Sequence, residues 1–190
     1  MSDFVKKLAQ LQADLNTQGD RVVEQLFKAV EACFGSDSEI AEKVLSGESF
    51  IDQVDVEIER ACIDLLRLGT TEEKGIRSVL TIVKVNNELE RIADCAVLIA
   101  EKTLADCSPI SQAPPTFRVM ANSVVGMARD TIKALRDTET EFAVRVLSFD
   151  DTIDRFRKEI VLDVQHRTSD GSLDPLVAFE LLTVTRTLER

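Results

Sequence analysis

The stretch VNNELER, Val85 to Arg91, returns 99 residues later as VTRTLER, Val184 to Arg190. A second match shares that displacement. Ile51-Asp52-Gln53-Val54-Asp55 resembles Asp151-Thr152-Ile153-Asp154, which sets Asp52 and Asp55 opposite Asp151 and Asp154 at the same offset of 99. Between the two matches, Val79, Leu80, Ile82 and Val83 stand opposite Ala178, Phe179, Leu181 and Leu182. One offset held across separate segments is the mark of a duplicated unit. Upstream, Val44-Leu45-Ser46 matches Val146-Leu147-Ser148 at an offset of 102, which places three extra residues around Gly47 in the first copy.

The unit is helical. Apolar residues recur at helical spacing almost throughout, as in Val22, Val23, Leu26, Ala29, Val30 and Cys33. Six helices are expected, over about residues 3–34, 37–68, 71–106, 116–136, 138–168 and 173 to the end. Breaks fall at Gly35-Ser36, at Gly69-Thr70-Thr71 with Glu73 placed as in a helix-start box, and at Ser169-Asp170-Gly171. Ser108 to Pro115 reads as the one real linker. The expected fold is all-α: two tandem antiparallel three-helix bundles, residues 1–107 and 116–190, joined across 108–115.

Composition agrees and narrows the function. In 190 residues there are seven Gly, four Pro and no Trp or Tyr, a lean supply of turn formers and strand aromatics. No run approaches the apolar length of a membrane span, and the amphipathic start MSDFVKKLAQLQADL is unlike a signal peptide, so a cytoplasmic protein without membrane insertion is expected. Cys33, Cys62, Cys95 and Cys107 form no CxxC, and with the single histidine, His166, they make a poor zinc set; small buried hydrophobes in a reducing compartment is the expected role. A net charge of −11 offers no basic stripe for nucleic acid. It suits cation binding, although a solvated acidic surface gives the same number.

In the third helix Val85, Leu89, Ile92, Ala96 and Ile99 share one face, while Ile76, Val79, Leu80 and Val83 line the opposite one. The helix is therefore expected to be buried on two sides. The second face continues into Asn87, Glu90 and Asp94, two carboxylates interrupting an apolar stripe, and desolvating them needs a reason. Asp52, Asp55 and Glu59 form a stripe on the second helix, and antiparallel packing across the Gly69 turn brings the two stripes to comparable heights. Clustered carboxylate oxygens suit Mg²⁺, Mn²⁺ or iron. The plainer reading is a solvated face, or bridges to Arg60, Arg77, Lys84 and Arg91; recurrence in the second copy weighs against it. His166 is expected on the surface.

At these residues the chain resembles the PhoU family. The family's motif LERIADHAVNIAE agrees with Leu89 to Glu101, LERIADCAVLIAE, at eleven of thirteen positions, and Ile51 to Leu68 is similar to its second-helix pattern. Cys95 and Leu98 depart from the motif's His and Asn. The resemblance implies a metal-binding regulator, not an enzyme, with Glu90 and Asp94 as ligands, Asp52 and Asp55 contributing, and Asp151, Asp154 and Glu189 as their counterparts. It further implies, as partners, the ATPase of the phosphate transporter and the sensor histidine kinase of phosphate signalling. A carboxylate-bridged di-iron enzyme needs paired ExxH ligands, and no ExxH is present; a helical scaffold without metal is the other alternative. The repeated motif breaks off at Arg190, three positions before the counterpart of Asp94. An incomplete second site is expected, with a weaker second bundle or a homodimer that covers it.

Overall fold

The computed structural model describes residues 3–69, 72–105, 109–137 and 140–190. Among them are six α-helices: α1 (Asp3–Gly35), α2 (Ser38–Arg67), α3 (Glu73–Leu104), α4 (Pro115–Asp137), α5 (Thr140–Ser169) and α6 (Pro175–Glu189), with one 3₁₀ turn at Pro109–Gln112. Thr70, Thr71, Cys107 and Ser108, on which the helix-start box, one cysteine and part of the linker rest, lie outside the described residues.

Local chemistry sets the boundaries. Ser36 takes a left-handed φ of 50° after Gly35, closing α1, and the Asp37 carboxylate then accepts a hydrogen bond from the Ile40 N–H at 3.0 Å to cap α2. The Asp174 carboxylate caps α6 through the Leu176 N–H at 2.8 Å, with Pro175 in the first turn, where its missing donor costs nothing. Gly69 and Gly171, at φ 79° and 78°, make the sharp returns that let α2 run back as α3 and α5 as α6.

Two apolar cores result, and they do not divide at the repeat boundary. One lies mainly inside the first repeat, where Leu15, Val22, Ile58, Cys62, Val79 and Leu89 meet, and takes in Ile132 of α4. The larger one is shared: Leu26, Ala29, Ala96 and Ile99 of the first repeat pack with Phe117, Met120, Ile160 and Leu181 of the second. Each fully buried aliphatic side chain contributes about 1.5–3 kcal/mol, so this shared core bonds the repeats to each other more firmly than any surface pair could. The two repeats therefore depend on one another for part of their core.

Polar groups inside the first repeat fix helix register. The buried amides of Gln18 and Gln25 on α1 donate to the Ile51 and Val44 carbonyls of α2, at 2.9 and 3.0 Å. Between repeats, α1 and α4 approach closely at Gly19, where an added Cβ would lie 2.7 Å from Ile132 Cδ1. Arg136 and Asp20 bridge the same two helices at 2.6 Å.

Two expectations are corrected. Ile76 and Leu80 are 37% and 51% exposed, so α3 is not buried on two sides; Val79, a neighbour on the wheel, turns inward instead. The repeat register in α5 is 102, not 99: Ile51, Ile58 and Cys62 of α2 are buried, and so are Ile153, Ile160 and Val164 of α5, each 102 residues on. The helix ends agree, Ser38–Arg67 against Thr140–Ser169. The three-residue shift expected around Gly47 is thus carried past α5.

Candidate functional site

The first repeat gathers the expected carboxylates on the outer groove between α2 and α3. At about 100° per residue, Asp55, Glu59 and Asp52 fall on one shoulder of α2 beside its buried stripe. The opposite shoulder, with Phe50, Gln53 and Glu57, lines a cleft against α1. The register across the groove is set by Asn86, 1% exposed on α3, whose amide donates to the Asp55 carboxylate at 2.5 Å and the Asp55 carbonyl at 3.1 Å. With Asp55 opposite Asn86, Asp52 stands level with Glu90 to within about 1.5 Å of axial rise. Asp94, one turn further along α3, lies beyond the centre of the cluster.

The electrostatics of the groove are those of crowded like charges. Asp55 is half-buried, and its carboxyl is pushed up to about 6, first by desolvation and then by the negative charges of Glu90, Glu59 and Asp52. Asp52, Asp55, Glu59, Glu90 and Asp94 take part in none of the ion pairs of the described residues. The cations that could have answered them do not. Arg77 turns to Glu73 at 2.7 Å and Arg91 to Glu88 at 2.6 Å. Hard carboxylate oxygens without a protein counter-ion are the right donors for Mg²⁺, Mn²⁺ or iron. Among the described residues no three His, Cys, Asp or Glu groups stand close enough to enclose an ion, so a bound ion would have to draw these side chains together.

The second repeat does not copy this arrangement. In the 102 register Asp154 takes the place of Asp52, but Arg157 takes the place of Asp55 and Asp151 that of Ser49. Asp151 is exposed and lies nearly opposite the buried stripe of Ile153, Ile160 and Val164, away from the groove. Asp154 is half-buried, Glu189 exposed, and the Nε of Arg157 is buried without a hydrogen bond. A guanidinium thus stands where the first repeat has its most crowded carboxylate.

The remaining expectations concern inert groups. His166 is exposed at the end of α5, 3.3 Å from Asp170. Cys33 and Cys62 are buried free thiols, Cys33 pushed up to about 11 by burial, which keeps it protonated and unreactive. Asn86 and Arg157 escaped the sequence reading. The first could have been found from its place in the i, i+3, i+4 series Val79, Ile82, Asn86, Leu89, a polar residue on a core stripe.

Fold and groove together define a tandem-repeat helical-bundle protein with an acidic face on its first repeat. The PhoU domain matches this sequence twice in tandem, over residues 15–103 and 117–190. Phosphate-specific transport system accessory protein PhoU homolog 1 of Thermotoga maritima is 30% identical, over 98% of this chain and 82% of its own length. The PhoU accessory protein of Escherichia coli K12 is 26% identical over 98% of the chain and 78% of its own length. The crystal structure of the phosphate transport system regulatory protein PhoU from Streptococcus pneumoniae superposes with a TM-score of 0.87 at 24% identity, covering 98% of this chain and 88% of that one. PhoU from Pseudomonas aeruginosa does so with 0.89 at 23%, covering 98% and 90%. The chain belongs to the PhoU family.

Proposed function

We propose that this protein is an accessory regulator of phosphate transport that acts by binding, and that its first repeat holds a hard metal ion. The regulatory reading is carried by the match of both repeats to one domain and by relatives named as accessory proteins of phosphate-specific transport that align over 98% of the chain. In this reading its partners are the transporter's ATPase and the sensor histidine kinase of phosphate signalling. The protein works in the cytoplasm, where those partners expose their soluble domains; among the described residues no helix is long and apolar enough to cross a membrane. The test is a pull-down from phosphate-replete cells with the whole protein as bait. Recovery of an ATPase subunit or a histidine kinase supports the reading, and recovery of neither under crosslinking overturns it.

The metal reading rests on the unanswered charge around Asp55. Asp52, Asp55 and Glu90 would hold the ion, with Asp94 swinging in from the next turn; the ion supplies the positive charge that no side chain provides. In the second repeat Asp154 and Glu189 stand in the places of Asp52 and Glu90, but Arg157 takes that of Asp55. Thermal melts decide it: millimolar Mn²⁺ or Mg²⁺ should raise the midpoint of the wild type and leave Glu90→Ala unmoved. Equal shifts in both proteins would refute the assignment.

A further inference from the structure

The α2–α3 groove does not end with its carboxylates. Stepping along it toward the Gly69 return, the same two shoulders change from acidic to apolar. Ile63 is 58% exposed and Leu66 39% on α2, facing Ile76 at 37% and Leu80 at 51% on α3. Measured from the Asp55–Asn86 contact, Ile63 lies eight residues up α2 and Leu80 six back along α3, so the two reach nearly the same height, within about 3 Å. Leu66 and Ile76 pair in the same way one turn further on. Scattered exposed aliphatics are ordinary, but four large ones at matching heights on one helix pair, continuous with a row of carboxylates that join no ion pair of the described residues, form a surface of two chemistries.

We propose that this groove, in its metal-free state, is a docking site for an amphipathic helix of a partner protein, one that sets aliphatic side chains on Ile63, Leu66, Ile76 and Leu80 and whose Lys or Arg side chains take the place of the ion on Asp52, Glu59 and Glu90. Charge complementarity selects that occupant. A second copy of this chain, itself at net charge −11, would bring an acidic groove against an acidic groove. An anionic lipid surface would meet the same repulsion. A helix with an apolar seam and a basic flank satisfies both halves, in the helix-in-groove mode that reads anchors at i, i+3, i+4 and i+7.

The probe is a fluorescent helical peptide of about 20 residues with a leucine seam and lysine flanks, titrated in chelator against the whole protein, beside a twin in which every lysine is glutamate. The lysine peptide should bind about tenfold tighter than its twin or more. Ile63→Ser and Leu80→Ser, both at exposed positions and checked for unchanged helix content by circular dichroism, should each weaken it about fivefold. Glu59→Lys should narrow the preference between the peptides, whereas Glu141→Lys on α5 should leave it as in the wild type. The proposal is overturned if Glu141→Lys acts like Glu59→Lys, because attraction to total charge then suffices. It is overturned equally if Ile63→Ser and Leu80→Ser bind as the wild type does. Loss of self-association in Leu80→Ser would assign the face to a second copy, and binding of anionic vesicles that Leu80→Ser abolishes would assign it to lipid; either result replaces the helical partner.

Discussion

Asp55 shows how a single residue ties stability to pH. Its folded carboxyl titrates at about 6, against 3.8 for the ordinary group, so between these values the folded chain holds a proton that the unfolded chain has released. The stabilisation from this residue is complete below about pH 4 and is lost as pH rises through 6. Asp55→Asn keeps an acceptor for the Asn86 amide and removes the charge. It should stabilise the apo-protein at pH 7 by on the order of 1 kcal/mol, after allowance for solvent screening, and flatten the slope between pH 4 and 6. Urea unfolding at pH 4.5 and 7 measures both. A variant less stable than wild type at pH 7 would mean that the Asp55 charge is already answered. The stripe of Asp52, Asp55 and Glu59 and its approach to Glu90 were legible in sequence, but whether a carboxylate is answered was not, because it depends on which way Arg77 and Arg91 turn, and each had a closer glutamate on its own helix.

At the scale of elements, the caps carry the chain through its returns. The Asp37 carboxylate is the side-chain acceptor at the start of α2, and Asp37→Ala should cost about 1 kcal/mol in urea unfolding, with Asp37→Asn near neutral. A loss from Asp37→Asn as large as that from alanine would show that charge, not capping, is what matters there. The six helices and the Gly35, Gly69 and Gly171 breaks were legible from apolar spacing and turn chemistry. The face that α3 buries was legible in part: Leu89, Ala96 and Ile99 of one expected face are buried, whereas of Ile76, Val79, Leu80 and Val83 only Val79 is fully buried, because the buried stripe runs through Ile82 and Asn86 to Val79 and leaves Ile76 and Leu80 beyond its edge. The repeat register misled for a related reason. Acidic matches aligned α5 at 99, but burial is decided by apolar residues, and Ile153, Ile160 and Val164 align with α2 at 102. The homologous-looking Asp151 was thereby turned to solvent and Arg157 brought to the groove.

For the molecule as a whole, the contact between the repeats at Gly19 is a steric one. Alanine there should gain helix propensity but meet Ile132, 5% exposed, with three side-chain atoms within 3.3 Å of the new carbon. Gly19→Ala is expected to destabilise by about 1–2 kcal/mol in the wild-type background and to become neutral or stabilising in Ile132→Val, a change of sign that a double-mutant cycle reads directly. Additive effects would place the contact elsewhere.

The paired glutamines have a consequence for how such a body can move. Gln18 and Gln25 sit seven residues apart on α1, and the Ile51 and Val44 carbonyls that they grip sit seven apart on α2, in the opposite sense. Helix sliding of a single turn would strand both buried amides against aliphatic walls, while a slide of two turns, about 10 Å, would let only one of them re-engage. The pair behaves as a two-toothed ratchet with no half-step. Sliding of α1 along α2 thus costs two buried hydrogen bonds at once, whereas side-chain rearrangement in the groove or rotation of the bundle as one piece costs neither.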